Sequence, residues 1–159
     1  MKIPKEQKGK GKEEAAKASV IDATNLILGR LASKAAKHAL DGGNVIIINC
    51  EKAIVTGDKK QIFDSYIRKF DVGQVNQGPY FPRTPDQLVR RTIRGMLPRK
   101  KPKGRAALER IKCYAGMPTQ IKLDLAGAKT LPEASGGRIK KTSSITILEL
   151  CKHIGYKHT

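Results

Sequence analysis

The sequence predicts an α/β protein, because a short apolar run, an amphipathic helical stretch and a β-branched run follow one another within residues 19–50. Residues 19–23 (SVIDA) suit a short buried strand. Leu28, Leu31, Ala32, Ala35 and Ala39 then recur at helical spacing, with Arg30, Lys34, Lys37, His38 and Asp41 on the other face. Asn25 is the expected cap of this helix and Gly42-Gly43 its stop. Residues 44–50 (NVIIINC) make a continuous β-branched run, the pattern of a strand covered on both faces. Strand, helix, strand of these lengths reads as a βαβ unit with a right-handed crossover. A chain of 159 residues, 39% of them apolar, fits one domain with a moderate core.

Beyond that unit, Ala53-Ile54-Val55 is a short apolar run ending at Thr56-Gly57. Asp58 is placed to cap a helix whose buried face is Ile62, Phe63, Tyr66, Ile67 and Phe70. Residues 71–83 (DVGQVNQGPYFPR) read as a loop with Tyr80 and Phe81 as its aromatics. Thr84 as N-cap, Pro85 at the first helical position and Gln87 as the capping-box partner open the next helix. Val89, Ile93, Met96 and Leu97 share one face of it, Leu88 falls outside that stripe, and Arg90, Arg91 and Arg94 occupy an adjacent face. Pro98 ends the helix. RKKPKGR (residues 99–105) follows as a basic loop, then a short helix around 105–111 and a strand at 112–114.

The remainder is less sharply patterned. IKLDLAGAKTL (121–131) suits a strand and EASGGRIKK (133–141) a basic loop. ITILELCKHIGY (145–156) fits strand or helix, and helix is favoured, with Ser144 as cap and Gly155 just past the end. Residues 1–17 lack apolar periodicity, so a flexible basic extension over 1–18 is expected to precede a single domain over 19–159.

Charge narrows the partners. Lys plus Arg number 32 against 14 Asp plus Glu, a formal charge of +18. Residues 76–115 hold eleven basic and two acidic residues, so half the excess lies in a quarter of the chain. Such imbalance disfavours self-association, so no homo-oligomer is expected, and it favours a polyanionic partner. Nucleic acid leads. An anionic membrane surface is second, weakened by the absence of any 18-residue apolar run. The lysine-rich start has no apolar stretch of the signal-peptide kind, and three unevenly spaced cysteines suit reduced thiols in the cytoplasm.

Motifs for chemistry are weak. The nearest approach to a phosphate-cradling GxxxxGK[ST] loop runs from Gly73 to Gly78, but Pro79 stands where the lysine belongs. GxGxxG is absent, so neither a nucleotide cofactor nor a small-molecule substrate is expected. Cys151, His153 and His158 lie close in sequence, yet no CxxC pair accompanies them and no metal is expected. Asn49-Cys50-Glu51, at a strand end, is the one catalytic candidate; the simpler reading is a buried cysteine before a surface glutamate.

The basic helix-loop segment 83–112 is stronger. Arg83, Arg90, Arg91, Arg94, Arg99, Lys100, Lys101, Lys103 and Arg105 stand against one acid, Asp86, across residues 83–105. Forked, permanently charged guanidinium groups suit phosphates, and a merely solvated face would mix signs. Zinc-finger spacing, basic-zipper heptads and a recognition-helix pair are all missing, which argues against a DNA reader. Aromatics are too few for an RNA-recognition sheet. What remains is phosphate and shape recognition of structured RNA, with Gly95, Gly104, Pro98 and Pro102 shaping a close backbone approach.

RRTIRGMLPRKKPKGRAALERIKCYAGMP (residues 90–118) closely resembles the signature of the large-subunit ribosomal protein thirteen family. IDATNLILGRLASKAAKHAL (21–40), VIIINCEKAIVTGDK (45–59) and GPYFPRTPDQLVRR (78–91) agree with it in order and spacing. GRLASKAAK together with PRKKPKGRAALER is more similar to the archaeal and eukaryotic branch than to the bacterial one. The resemblance implies a three-layer α/β/α domain with a mixed sheet of about four strands. It also implies binding to large-subunit rRNA beside neighbouring large-subunit proteins, a place in the cytoplasmic ribosome, and no enzymatic activity. The nine basic residues named above are the expected rRNA contacts. Two alternatives are an extra-ribosomal RNA-binding regulator using the same face and an RNA-modifying enzyme built around Cys50 and Glu51.

Overall fold

The computed structural model describes residues 19–72, 80–118, 131–138 and 144–157. The N-terminal extension, the strand expected at 121–131 up to Thr130, and the stretches 73–79 and 139–143 lie outside these residues. Three strands, β1 (Ser19–Asp22), β2 (Val45–Ile48) and β4 (Ile111–Cys113), form a parallel sheet in the order β1-β2-β4. A separate antiparallel pair joins β3 (Ile54–Thr56) to β5 (Ser144–Thr146), with Val55 opposite Ile145. The α/β class is as expected, with both parallel and antiparallel pairing. The described strands divide between two sheets because the turn Cys50–Lys52 diverts the chain after β2, and a bridge between Ile27 and Ile54 links the second pair to the rest.

Alternation along β2 explains its unbroken apolar run. Val45 and Ile47 face the main core with Ile21 and Ile111, whereas Ile46 and Ile48 face the other side with Val20 and close against Tyr114. Each such buried side chain contributes on the order of 1.5–3 kcal/mol. Both faces of the sheet are therefore buried, as a layered α/β fold requires. Buried side chains from all five described helices enter the first of these cores.

Helix α1 (Leu28–Leu40) buries Leu28, Leu31, Ala32, Ala35, Ala36 and Ala39. Its end is closed locally: Gly42, at φ 98°, donates to the Ala39 carbonyl and Gly43 to that of His38. Asn25 does not cap this helix. It sits in the left-handed region at φ 57°, donating its N–H to the Lys52 carbonyl and accepting from Gly136 N–H. Ile27 stands at the cap position without a side-chain bond, its own N–H donated to the Ala134 carbonyl.

Helix α2 (Lys59–Asp71) is capped as expected by Asp58, whose carboxylate accepts from Gln61 N–H. Only Ile62 of its predicted face is fully buried, and Ile67 is exposed, because α2 lies at the edge of the core. Helix α3 (Pro85–Met96) buries Leu88, Val89 and Ile93, with Leu97 just beyond its end, and leaves Met96 exposed. Leu88 was expected outside the stripe. It is buried because α3 is covered over a wide arc, by α1, β4, the Cys50–Lys52 turn and the C-terminal helix over Ile147–His153. Thr84 has the backbone of an N-cap, yet its hydroxyl makes no capping bond and is buried without a partner.

Helix α4 spans Pro102–Glu109, beginning three residues earlier than the expected helix at 105–111, with Pro102 at the first position. The C-terminal segment is strand and then helix. Ser144 belongs to β5, and Thr146 is the cap of α5 (Ile147–His153), accepting from Glu149 N–H at 3.2 Å. Pairing with β3 claims residues 144–146 for the strand, which no local periodicity announces.

At the C-terminal edge of the parallel sheet, Asp22 Oδ1 accepts from Asn49 Nδ2, Thr24 N–H and Thr24 Oγ1 at 3.0, 3.0 and 2.7 Å. Burial opposes its charge, but these hydrogen bonds and nearby Lys52 outweigh it and hold the pKa below 3.8. The group's stabilisation is therefore complete above that value and is lost as pH falls through the depressed folded pKa. Asp22→Ala is expected to cost about 1 kcal/mol at neutral pH after solvent screening. Urea unfolding from pH 7 to pH 2 should show the gap to wild type closing in acid; a constant gap would refute this account.

Candidate nucleic-acid interface

The nine sequence-predicted cations divide into two groups held by different elements. Arg90, Arg91 and Arg94 project from α3, preceded by Arg83 in the segment that leads into it. Arg99, Lys100 and Lys101 lie in the turn after α3, and Lys103 and Arg105 in the first half of α4. All are exposed except Arg91 and Arg94, which are half-buried. Among the described residues none of the nine pairs with an acid; the ion pair found there joins Lys34 to Glu133 at 2.5 Å.

The turn that carries the second group is tightly bonded. Arg99 N–H donates to the Leu97 carbonyl, Lys101 N–H to that of Pro98, and both Gly104 and Arg105 N–H to that of Lys101. Gly104 is buried against the Pro98 carbonyl, and a Cβ there would lie 2.5 Å from the carbonyl carbon and 3.1 Å from Arg99 N. The close approach expected of Gly104 is thus made within the chain. Gly95, by contrast, has nothing within 4 Å of the corresponding position. RKKPKGR is accordingly a bonded turn running into a helix, and the positive end of the α4 dipole adds to its cations.

The first group is braced by aromatic rings. Arg91 lies over Phe81 at 4.4 Å and Arg83 over Phe70 at 5.3 Å. Phe81 in turn meets Tyr66 and Phe70 edge-on, at 5.9 and 5.2 Å. Arg91 forms part of two clefts. One, of about 310 Å³, lies beside Tyr80, Gln87, Arg90 and Arg94. The other, of about 780 Å³, lies between α2 and α3 and takes in Arg68, Lys69, Val72 and Phe81. Sequence reasoning missed Arg68 and Lys69, whose α2 neighbours include acids, so no charge run marked them. Lys69 sits over the Tyr66 ring at 4.4 Å.

The catalytic candidate is occupied with structure. Cys50 is fully buried, its thiol donating to the Ile47 carbonyl at 3.8 Å. A hydrogen bond with the Cys113 side chain, then burial, push this thiol far above its ordinary range. Glu51 accepts from Gly116 N–H at 2.6 Å, and Asn49 donates to Asp22. A buried, protonated thiol offers no nucleophile. At the other end of the chain, burial and then Asp86 push the Cys151 thiol up to about 12, while His153 stacks on Phe63 at 4.1 Å. Among the described residues no three His, Cys, Asp or Glu side chains gather as a metal site, and no helix is long and apolar enough to cross a membrane.

A family model described as ribosomal protein L13 matches residues 16–120. The chain is 40% identical over 140 residues to the large ribosomal subunit protein uL13 of Archaeoglobus fulgidus, covering 87% of this chain and 88% of that relative. With the protein of the same name from Methanocaldococcus jannaschii the identity is 43% over 143 residues, covering 87% and 98%. With that from Methanopyrus kandleri it is 40% over 139 residues, covering 87% of each.

Proposed function

The chain belongs to the ribosomal protein L13 family, and on that premise we propose that it is a structural constituent of the large ribosomal subunit that binds and stabilises large-subunit rRNA. The observation that carries the contact face is the set of nine cations, from Arg83 to Arg105, without an acidic partner among the described residues. Folded elements hold those charges, so little ordering entropy is lost when phosphates meet them. Residues 19–159 act as one rRNA-binding domain, with a basic extension over 1–18. Neighbouring large-subunit proteins complete its surroundings in the cytoplasmic ribosome. The role is charge neutralisation and shape support, without bond-making chemistry.

Sedimentation of a cell lysate tests this reading. The protein is expected to travel with the large subunit through moderate-salt washing, because several phosphate contacts acting together survive partial screening. A free pool as the main population would sink the proposal, and it is also what a regulator acting away from the ribosome would give.

A further inference from the structure

We infer that the cleft between α2 and α3 seats a segment of a neighbouring large-subunit protein, with an apolar side chain in the cleft and an adjacent carboxylate on Arg68 and Lys69. This rests on the ribosomal reading above and adds the chemistry of the protein neighbour on this face. The cleft, of about 780 Å³, has apolar walls from Tyr66, Val72, Phe81 and Leu88. Val72, the residue that closes α2, is 74% exposed, so an apolar side chain at the mouth is left in water. Covering it is favourable. The volume lies within the range of small-ligand sites, roughly 300–1,000 Å³, and admits a large apolar side chain with its neighbours.

Charge selects among the occupants. Arg68, Lys69 and Arg91 line the cleft, whereas the acids of α2, Asp64 and Asp71, lie outside it. None of the three cations is in an ion pair with an acid among the described residues, so the complement is a carboxylate or a phosphate. RNA would use the site poorly. Both rings in its walls are committed to the protein: Lys69 lies over Tyr66 and Arg91 over Phe81, each at 4.4 Å, and the rings meet edge-on at 5.9 Å. Bases are held by stacking on open ring faces, and a phosphate gains nothing from Val72 or Leu88. An acidic, apolar peptide segment uses the walls and the cationic rim together. A second copy of this chain, at a formal charge of +18, is repelled.

Photocrosslinking in the assembled subunit tests this. Val72→p-benzoylphenylalanine is made in the full-length chain, where the exposure of Val72 leaves room for the larger ring. Irradiation of the purified large subunit is expected to join this position to protein. Mass spectrometry should map the product to a segment in which an apolar residue stands beside Asp or Glu. Ser65→p-benzoylphenylalanine, at another exposed lining position, should give the same product and serves if the first variant does not fold. Arg68→Glu in the crosslinking chain should lower the yield per incorporated protein roughly tenfold, because like charges then face each other, and Arg68→Lys should retain it. Crosslinks to rRNA, to a second copy, to a segment without such a carboxylate, or to nothing overturn the inference and leave the ribosomal reading standing. An undiminished yield in Arg68→Glu does the same. Absence of the wild-type chain from the large-subunit fraction overturns the ribosomal reading itself, and this inference with it.

Discussion

Replacing Arg94, Arg99 and Arg105 together by Gln is expected to weaken rRNA binding on the order of a hundredfold. Each contact from a solvent-accessible cation is worth about 1 kcal/mol, and three such losses amount to about two decades in Kd. The more diagnostic quantity is salt dependence. Every phosphate contact removed lowers the slope of log K against log salt by roughly 0.7–0.9, so three removed contacts should flatten it by about 2–3. Folding should be spared, since Arg99 and Arg105 are exposed and none of the three pairs with an acid among the described residues. Circular dichroism and the unfolding midpoint, measured beside filter-binding isotherms at several salt concentrations, separate the two effects. An unchanged slope with intact folding would show that these residues are not the contact face.

Gly104→Ala is expected to destabilise the protein by about 2 kcal/mol, against the usual gain from replacing glycine in a helix. The added methyl would collide with the Pro98 carbonyl, which belongs to the backbone and has no rotamer to escape into. Relief requires the turn 98–101 to move away from α4, carrying Arg99, Lys100 and Lys101 with it. A fall in Tm of roughly 4–8 °C should therefore accompany weaker RNA binding. Gly95→Ala is the control: it lies one residue before the end of α3, with open space where the methyl would go, and should be neutral or stabilising by up to about 1 kcal/mol. Equal effects at the two glycines would refute the steric account.

The contrast between these glycines marks where local reasoning stops. Both stand in basic, helix-flanked sequence, and both were expected to shape an approach to an outside backbone. In the folded chain the space beside Gly104 is already filled by Pro98, while that beside Gly95 is open. Arginine placement shows the same division. The spacing of Arg90, Arg91 and Arg94 on one side of a helix is legible because helical geometry is set by residues three and four apart. That Arg91 leans on Phe81, and that Tyr80 and Leu108 border its cleft, depends on how α2, α3 and α4 are arranged.

The sequence by itself determined the elements whose signals close within about four residues. These are the βαβ start, the Gly42-Gly43 stop, the Asp58 cap, Pro85 opening α3, and the concentration of positive charge in residues 76–115. Tertiary structure alone decided the rest. It put Asn25 in a left-handed turn against Lys52 and Gly136, drew Ser144 into a strand with Thr56, and buried Leu88 while exposing Met96. It also set Cys50 beside Cys113 in the core. The reason is physical: a cap or a helical turn is satisfied by its chain neighbours, whereas burial and strand pairing are satisfied by partners distant in sequence, which no local pattern specifies.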